Sequence, residues 1–122
     1  MSWAVRILII DDSEEQRLAL QSYLHQEGHR DVLLAESVSE AMSLLQDQTA
    51  VDLVLLKDLM AGTSGPETCH LIKDQPCLKD ASIIMVTANE DADSLNEAFQ
   101  AGAADYIVSP PDPVQLKARL NS

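Results

Sequence analysis

Short aliphatic runs punctuate the chain, and two of them end in opposite charge. Val5-Arg6-Ile7-Leu8-Ile9-Ile10 runs into Asp11-Asp12, and Leu53-Val54-Leu55-Leu56 runs into Lys57, with Asp58 next. Continuous runs of this kind read as strands buried on both faces of a parallel sheet. The first covers about residues 5–10, and Ser13 is placed to cap a helix over roughly 14–27, with Leu18, Leu20 and Leu24 as apolar contacts and Gly28 as its stop. Val32-Leu33-Leu34-Ala35 is a second strand. Ser37 then caps a helix near 38–47 with Ala41, Met42, Leu44 and Leu45 turned inward.

Asp52 opens the third strand. Gly62, Gly65 and Pro66 mark a loop leading into a helix near 65–74, which Pro76 ends. Ile83-Ile84-Met85-Val86 is a fourth strand closing at Thr87-Ala88. A fourth helix spans roughly 91–101 and stops at Gly102, and Ala104 to Val108 forms a fifth strand. Asp112 or Pro113 starts a last helix that reaches the neighbourhood of Ser122. Strand and helix alternate throughout with short connections, so a parallel sheet covered on both faces by right-handed crossovers is expected. No linker, repeat or low-complexity segment interrupts residues 1–122, which read as one domain, either the first module of a longer protein or a small freestanding one.

Ligands of open α/β sheets collect beyond the carboxyl ends of the strands. The pattern therefore predicts a pocket that takes two acids from one strand end and a lysine from another. Composition narrows what it can do. At 122 residues the chain buries a full core, and with 46% hydrophobic but 3% aromatic residues that core is aliphatic. Eight basic against twenty acidic residues give a net charge of −12. This disfavours nucleic acid, whose affinity comes mainly from Lys and Arg on phosphates, and equally an anionic membrane surface. No apolar stretch approaches the ~20 residues of a membrane span, and the N-terminus is no signal peptide. Cys69 and Cys77 match neither a zinc nor a C-x-x-C spacing and read as reduced thiols of a cytoplasmic protein, Cys69 packed on a helix. His25, His29 and His70 have no metal-like partner and read as surface residues.

In order and spacing, these features resemble the receiver domains of bacterial response regulators over the whole chain. The matching residues are the acid pair Asp11-Asp12, the segment Asp52-Leu53-Val54-Leu55-Leu56-Lys57-Asp58-Leu59-Met60-Ala61-Gly62-Thr63-Ser64-Gly65, Thr87-Ala88, and Tyr106 followed by Ser109-Pro110. The resemblance implies a three-layer (βα)5 flavodoxin-like fold with a parallel five-stranded sheet in the order 2-1-3-4-5. It also implies that Thr87 and Tyr106 are switch residues coupling the pocket to the face of the fourth helix, fifth strand and last helix. Pro110 would follow a cis bond.

Three positions depart from the family pattern. The phosphate-accepting aspartate falls on Lys57, a loop proline on Ala61, and the lysine after the fifth strand on Ser109. An acceptor carboxylate attacks phosphorus to form an acyl phosphate, and a lysine amine, protonated near neutral pH, cannot replace it. The resemblance also implies a pocket of three carboxylates and one lysine that recruits Mg²⁺. Here Asp11, Asp12 and Lys57 sum to −1, and the ammonium stands where metal and lysine otherwise supply positive charge. Mg²⁺ should then bind poorly, unless the long stem of Lys57 swings to solvent and leaves the acids free.

The expected function is that of a degenerate pseudo-receiver: a signalling domain that works without phosphate as a protein-interaction or dimerisation module. Its partners would be a cognate kinase, an effector domain or a second copy, met through the helix-four, strand-five, helix-five face. The alternative is a working receiver that uses Asp58 as acceptor, with Mg²⁺ on Asp11 and Asp12. An enzyme is the remote reading, because no Gly-rich phosphate loop follows the first strand and no nucleophile–base pair is visible.

Overall fold

The computed structural model describes residues 5–45, 50–57, 59–60, 63–76, 78–87, 96–97, 99–108 and 113–120. Asp58, Ala61, Ala88, Ser109, Pro110 and Cys77 lie outside the described residues, as does the first part of the fourth helix.

Five parallel strands form the main sheet: β1 (Ile7–Ile10), β2 (Val32–Ala35), β3 (Leu53–Lys57), β4 (Ser82–Thr87) and β5 (Asp105–Val108). Their spatial order is β2-β1-β3-β4-β5. Each aliphatic run sends alternate side chains to opposite faces, and two separate cores result. Leu8, Ile10, Val54, Leu56, Ile83 and Met85 face one way and pack against Ala41 and Leu45 of the second helical segment and Cys69 and Ile72 of the third. Ile7, Ile9, Leu55, Ile84, Val86 and Ile107 face the other way, onto Leu20, Leu24 and Leu116. Three layers follow directly from this period-two patterning on both sides.

The helices are α1 (Glu14–Gln26), α2 (Val38–Leu44), α3 (Gly65–Lys73) and a C-terminal helix, Pro113–Leu120, with helical backbone also at 96–97 and 99–100. Ser13 Oγ accepts the Gln16 N–H at 3.3 Å and Ser37 Oγ accepts the Glu40 N–H at 3.1 Å, so both serines satisfy donors the helix start leaves open. Gly28 adopts φ +94°, a left-handed conformation that ends α1 at little cost only for glycine.

Two apolar assignments are corrected. Leu18 is 48% exposed and Leu44 is 44% exposed. The inward stripes are Leu20 with Leu24 and Ala41 with Leu45, each pair one turn apart. At about 100° per residue, Leu18 lies on the far side of α1 from Leu20, and Leu44 sits at the rim of α2. The segment read as a loop before α3 also holds a two-residue antiparallel ladder, Leu59–Met60 against Thr63–Ser64. Asp52 occupies a bend just before β3, where its Oδ2 accepts the Arg6 N–H at 2.9 Å.

Candidate functional site

In the sheet register Ile10 of β1 pairs with Leu56 of β3, and Lys57 of β3 pairs with Val86 of β4. Asp11 and Lys57 are therefore the next residues out on neighbouring strands, at the carboxyl edge. Strand alternation puts Lys57 on the same side as Leu53 and Leu55, the side covered by α1. The lysine turns back over the edge toward the β1–α1 turn. Its Nζ donates to Asp12 Oδ1 at 2.7 Å and stands 3.9 Å from Asp11 Oδ1.

The two acids live in different surroundings. The Asp12 side chain is 39% exposed, the Asp11 side chain 2%. Asp11 Oδ1 accepts the Ser13 N–H at 2.8 Å, a local turn that fixes the carboxylate before the helix begins. Asp11 Oδ2 is buried with no hydrogen-bond partner among the described residues. The backbone around it is pinned from both sides. Its N–H donates to the Ala35 carbonyl at 3.0 Å, and its own carbonyl accepts from Arg17 Nη1 at 2.6 Å.

Burial pushes the Asp11 carboxyl above its ordinary value of 3.8, helped by the nearby Asp12 charge. The Ser13 N–H, Lys57 and Arg17 oppose that rise without cancelling it. Lys57 is held above its ordinary 10.5, chiefly by the bond to Asp12 and against a smaller penalty of burial. Its amine is thus an ammonium at any physiological pH, without a free lone pair for nucleophilic chemistry.

Thr87 ends β4 one residue beyond the partner of Lys57, buried and paired with Val108. Tyr106 is half-buried on β5 and packs against the α2–α3 core. Its ring meets Phe99 edge-on, centroids 6.1 Å apart at 70°. The structure therefore groups Asp11, Asp12 and Lys57 in one contact set and puts Thr87 next along the same edge. Arg17 belongs to the set as well, and the sequence carries no mark of it: a lone arginine on a helix looks like any solvated residue.

Comparison with known proteins defines this edge. The model of the response regulator receiver domain matches residues 7–121. The chain belongs to that family. Transcriptional regulatory protein YvrH of Bacillus subtilis is 39% identical over 117 residues, covering 95% of this chain and 47% of that protein. A chemotaxis protein CheY homolog of Campylobacter jejuni is 33% identical over 116 residues, covering 95% of this chain and 89% of its own. Among solved structures, a putative response regulator from Chloroflexus aurantiacus superposes with a TM-score of 0.85 at 28% identity, covering 98% and 96% of the two chains. The chain spans about half the length of the transcriptional regulators it matches. It is a receiver domain of two-component signalling, and no helix among the described residues is long and apolar enough to cross a membrane.

A receiver pocket implies Mg²⁺, and the donor set here does not fit it. Mg²⁺ requires near-octahedral oxygen coordination at about 2.0–2.1 Å and usually gains from several negative ligands. Asp12 Oδ1 accepts from the lysine, Asp11 Oδ1 accepts from a backbone N–H, and the ammonium stands 3.9 Å from the latter oxygen, where it opposes a second cation. Among the described residues, no group of three or more His, Cys, Asp and Glu side chains is placed to hold an ion.

Proposed function

We propose that this receiver domain is a pseudo-receiver: it takes no phosphate at the end of β3 and acts by protein contact in a form that phosphorylation does not set. One observation carries the reading. The side chain at the end of β3, which the sequence pattern reads as the acceptor position, is Lys57, and its ammonium is 2.7 Å from Asp12. A protonated amine cannot open the acyl phosphate route that a carboxylate provides. Ser109, at the position of the family's phosphate-pairing lysine, removes a second part of that machinery.

The surface for partners is the one around Phe99 and Tyr106, where an exposed ring lies on a half-buried one. A cognate kinase, an effector domain or a second copy of the chain, in the cytoplasm, is the partner of this reading. Paired aromatic rings at a surface supply large contact area at low entropy cost, which suits an interface.

Incubation with acetyl phosphate followed by intact-mass measurement tests the proposal. The unmodified mass alone is expected. A stoichiometric phosphoryl adduct labile to hydroxylamine contradicts it, and loss of that adduct in Asp58→Asn would assign the acceptor to the neighbouring residue.

A further inference from the structure

We infer that Lys57 is a tethered cation that takes the place of a divalent metal in the acidic pocket, so that the native fold of the β1–α1 edge is complete without metal and closed to it. The inference deepens the functional reading given above. It concerns the same pocket but needs no statement about phosphate.

The geometry supports it in three ways. Asp11 and Asp12 put two negative charges at one strand end, and the ammonium reaches both from the neighbouring strand, at 3.9 Å and 2.7 Å. A metal at about 2.1 Å from Asp12 Oδ1 would press against an ammonium that already holds the same oxygen. Second, the lysine is covalently attached beside its acceptors. Capture of an ion from solution has an entropic cost that a side chain on the next strand largely avoids, so the tethered charge competes at high effective concentration. Third, Asp11 Oδ2 is buried in a side chain only 2% exposed and has no hydrogen-bond partner among the described residues. With the ammonium 3.9 Å from the other oxygen of the same carboxylate, this position is open to a divalent ion only once the Lys57 charge is removed.

The groups around this oxygen define what happens when the lysine charge is removed. Ser13 N–H holds the other oxygen, Arg17 holds the Asp11 carbonyl, and Asp12 supplies the second carboxylate. None of these depends on Lys57 for its attachment to the backbone. A neutral residue at position 57 therefore removes the ammonium from two converging carboxylates while Arg17 still acts on Asp11, and a hard divalent cation becomes the species that restores the lost charge.

Thermal melts in MgCl₂ and MnCl₂, each against an ionic-strength-matched NaCl control, decide the matter for the full chain, Lys57→Gln and Lys57→Arg. A ligand that binds only the native state raises its stability in proportion to its occupancy. The wild-type midpoint is expected to be the same in metal and control. Lys57→Gln is expected to melt lower without metal and to recover with it, with Mn²⁺ affinity at least about tenfold tighter than wild type. Lys57→Arg keeps the charge and is expected to remain blind to metal. Metal-dependent stabilisation of the wild type or of Lys57→Arg overturns the inference, and so does a folded Lys57→Gln that ignores metal. Should Lys57→Gln not fold, paramagnetic broadening by Mn²⁺ of the wild-type Asp11, Asp12 and Ser13 amide signals gives the answer: no selective broadening supports the inference and selective broadening overturns it. No phosphodonor is present, so a phosphoryl adduct found in the mass experiment leaves these outcomes intact.

Discussion

Burial holds the Asp11 carboxyl above 3.8, whereas the bond to Asp12 holds the Lys57 ammonium above 10.5. The two groups act on stability with different consequences. For Asp11 the folded state binds the proton more tightly than the unfolded chain does. Stability therefore falls as pH rises from the unfolded value through the raised folded one, and above that window the ionised carboxylate is a standing cost. For Lys57 the folded state also prefers the proton, and here the protonated form is the one present at neutral pH. Its contribution is full below 10.5 and is lost as pH climbs through the folded value. Because the lysine side chain is 32% exposed, solvent screening keeps that contribution below about 1 kcal/mol. Asp11→Asn keeps an oxygen for the Ser13 N–H and discards the buried charge. It is expected to gain on the order of 1 kcal/mol at pH 7, because a neutral amide replaces a buried ionised carboxylate, and to lose that advantage near pH 4. Paired denaturation curves at the two pH values check this; equal stability of variant and wild type at pH 7 would mean the buried charge costs nothing.

At the scale of elements, the aliphatic runs of β1, β3 and β4 were legible because these central strands are buried on both faces and so need no polar interruption. Once those runs are ordered in a parallel sheet, their last residues must gather at one edge, which is why Asp11, Asp12 and Lys57 meet. The helices were less legible. Leu18 and Leu44 are apolar but sit off the buried stripe, and in short helices a single exposed leucine shifts the apparent face. Contacts made to backbone are harder still to read. Lys73 of α3 donates to the Ala81 carbonyl at 2.6 Å and the Lys79 carbonyl at 3.5 Å, closing the turn that leads into β4. Its stem lies where a Cβ at Gly102 would come within 3.4 Å, and Gly102 itself adopts φ +114°. One lysine thus ties the entries of β4 and β5 together, and no sequence pattern announces it. Lys73→Met keeps the stem and removes the donor. A loss of roughly 1.5 kcal/mol, the worth of a hydrogen bond to a charged group, is expected as a lower urea midpoint at unchanged slope. An unchanged midpoint would leave the Ala81 carbonyl equally well satisfied by water.

For the whole molecule the dominant fact is the charge of −12 on 122 residues. Like charges repel across any interface between two copies, and salt screens that repulsion within about 10 Å at 0.1 M. Under the proposed reading with a second copy as partner, self-association through the Phe99–Tyr106 face is expected to strengthen from low salt to 0.3 M, roughly the opposite of an ion-paired interface. Sedimentation velocity on wild type and Phe99→Glu measures it, with the variant monomeric throughout. Association that weakens with salt, or that survives Phe99→Glu, would place the interface elsewhere. The fold and family could be read in advance because they rest on periodicity and spacing spread over the entire chain. The members of the pocket followed from the strand ends, but its fine geometry did not, since that turns on a few ångströms between side chains and on which oxygen is left without a partner.

The most direct measurement is the titration of the Lys57 amine itself, followed through its Cε signal by NMR in the wild type and in Asp12→Asn. An ammonium held by the acid pair titrates above 10.5 in the wild type and moves down toward that value when Asp12 loses its charge. A Lys57 signal that titrates at or below the ordinary lysine value, and that does not respond to Asp12→Asn, would show an amine in open water and contradict the account.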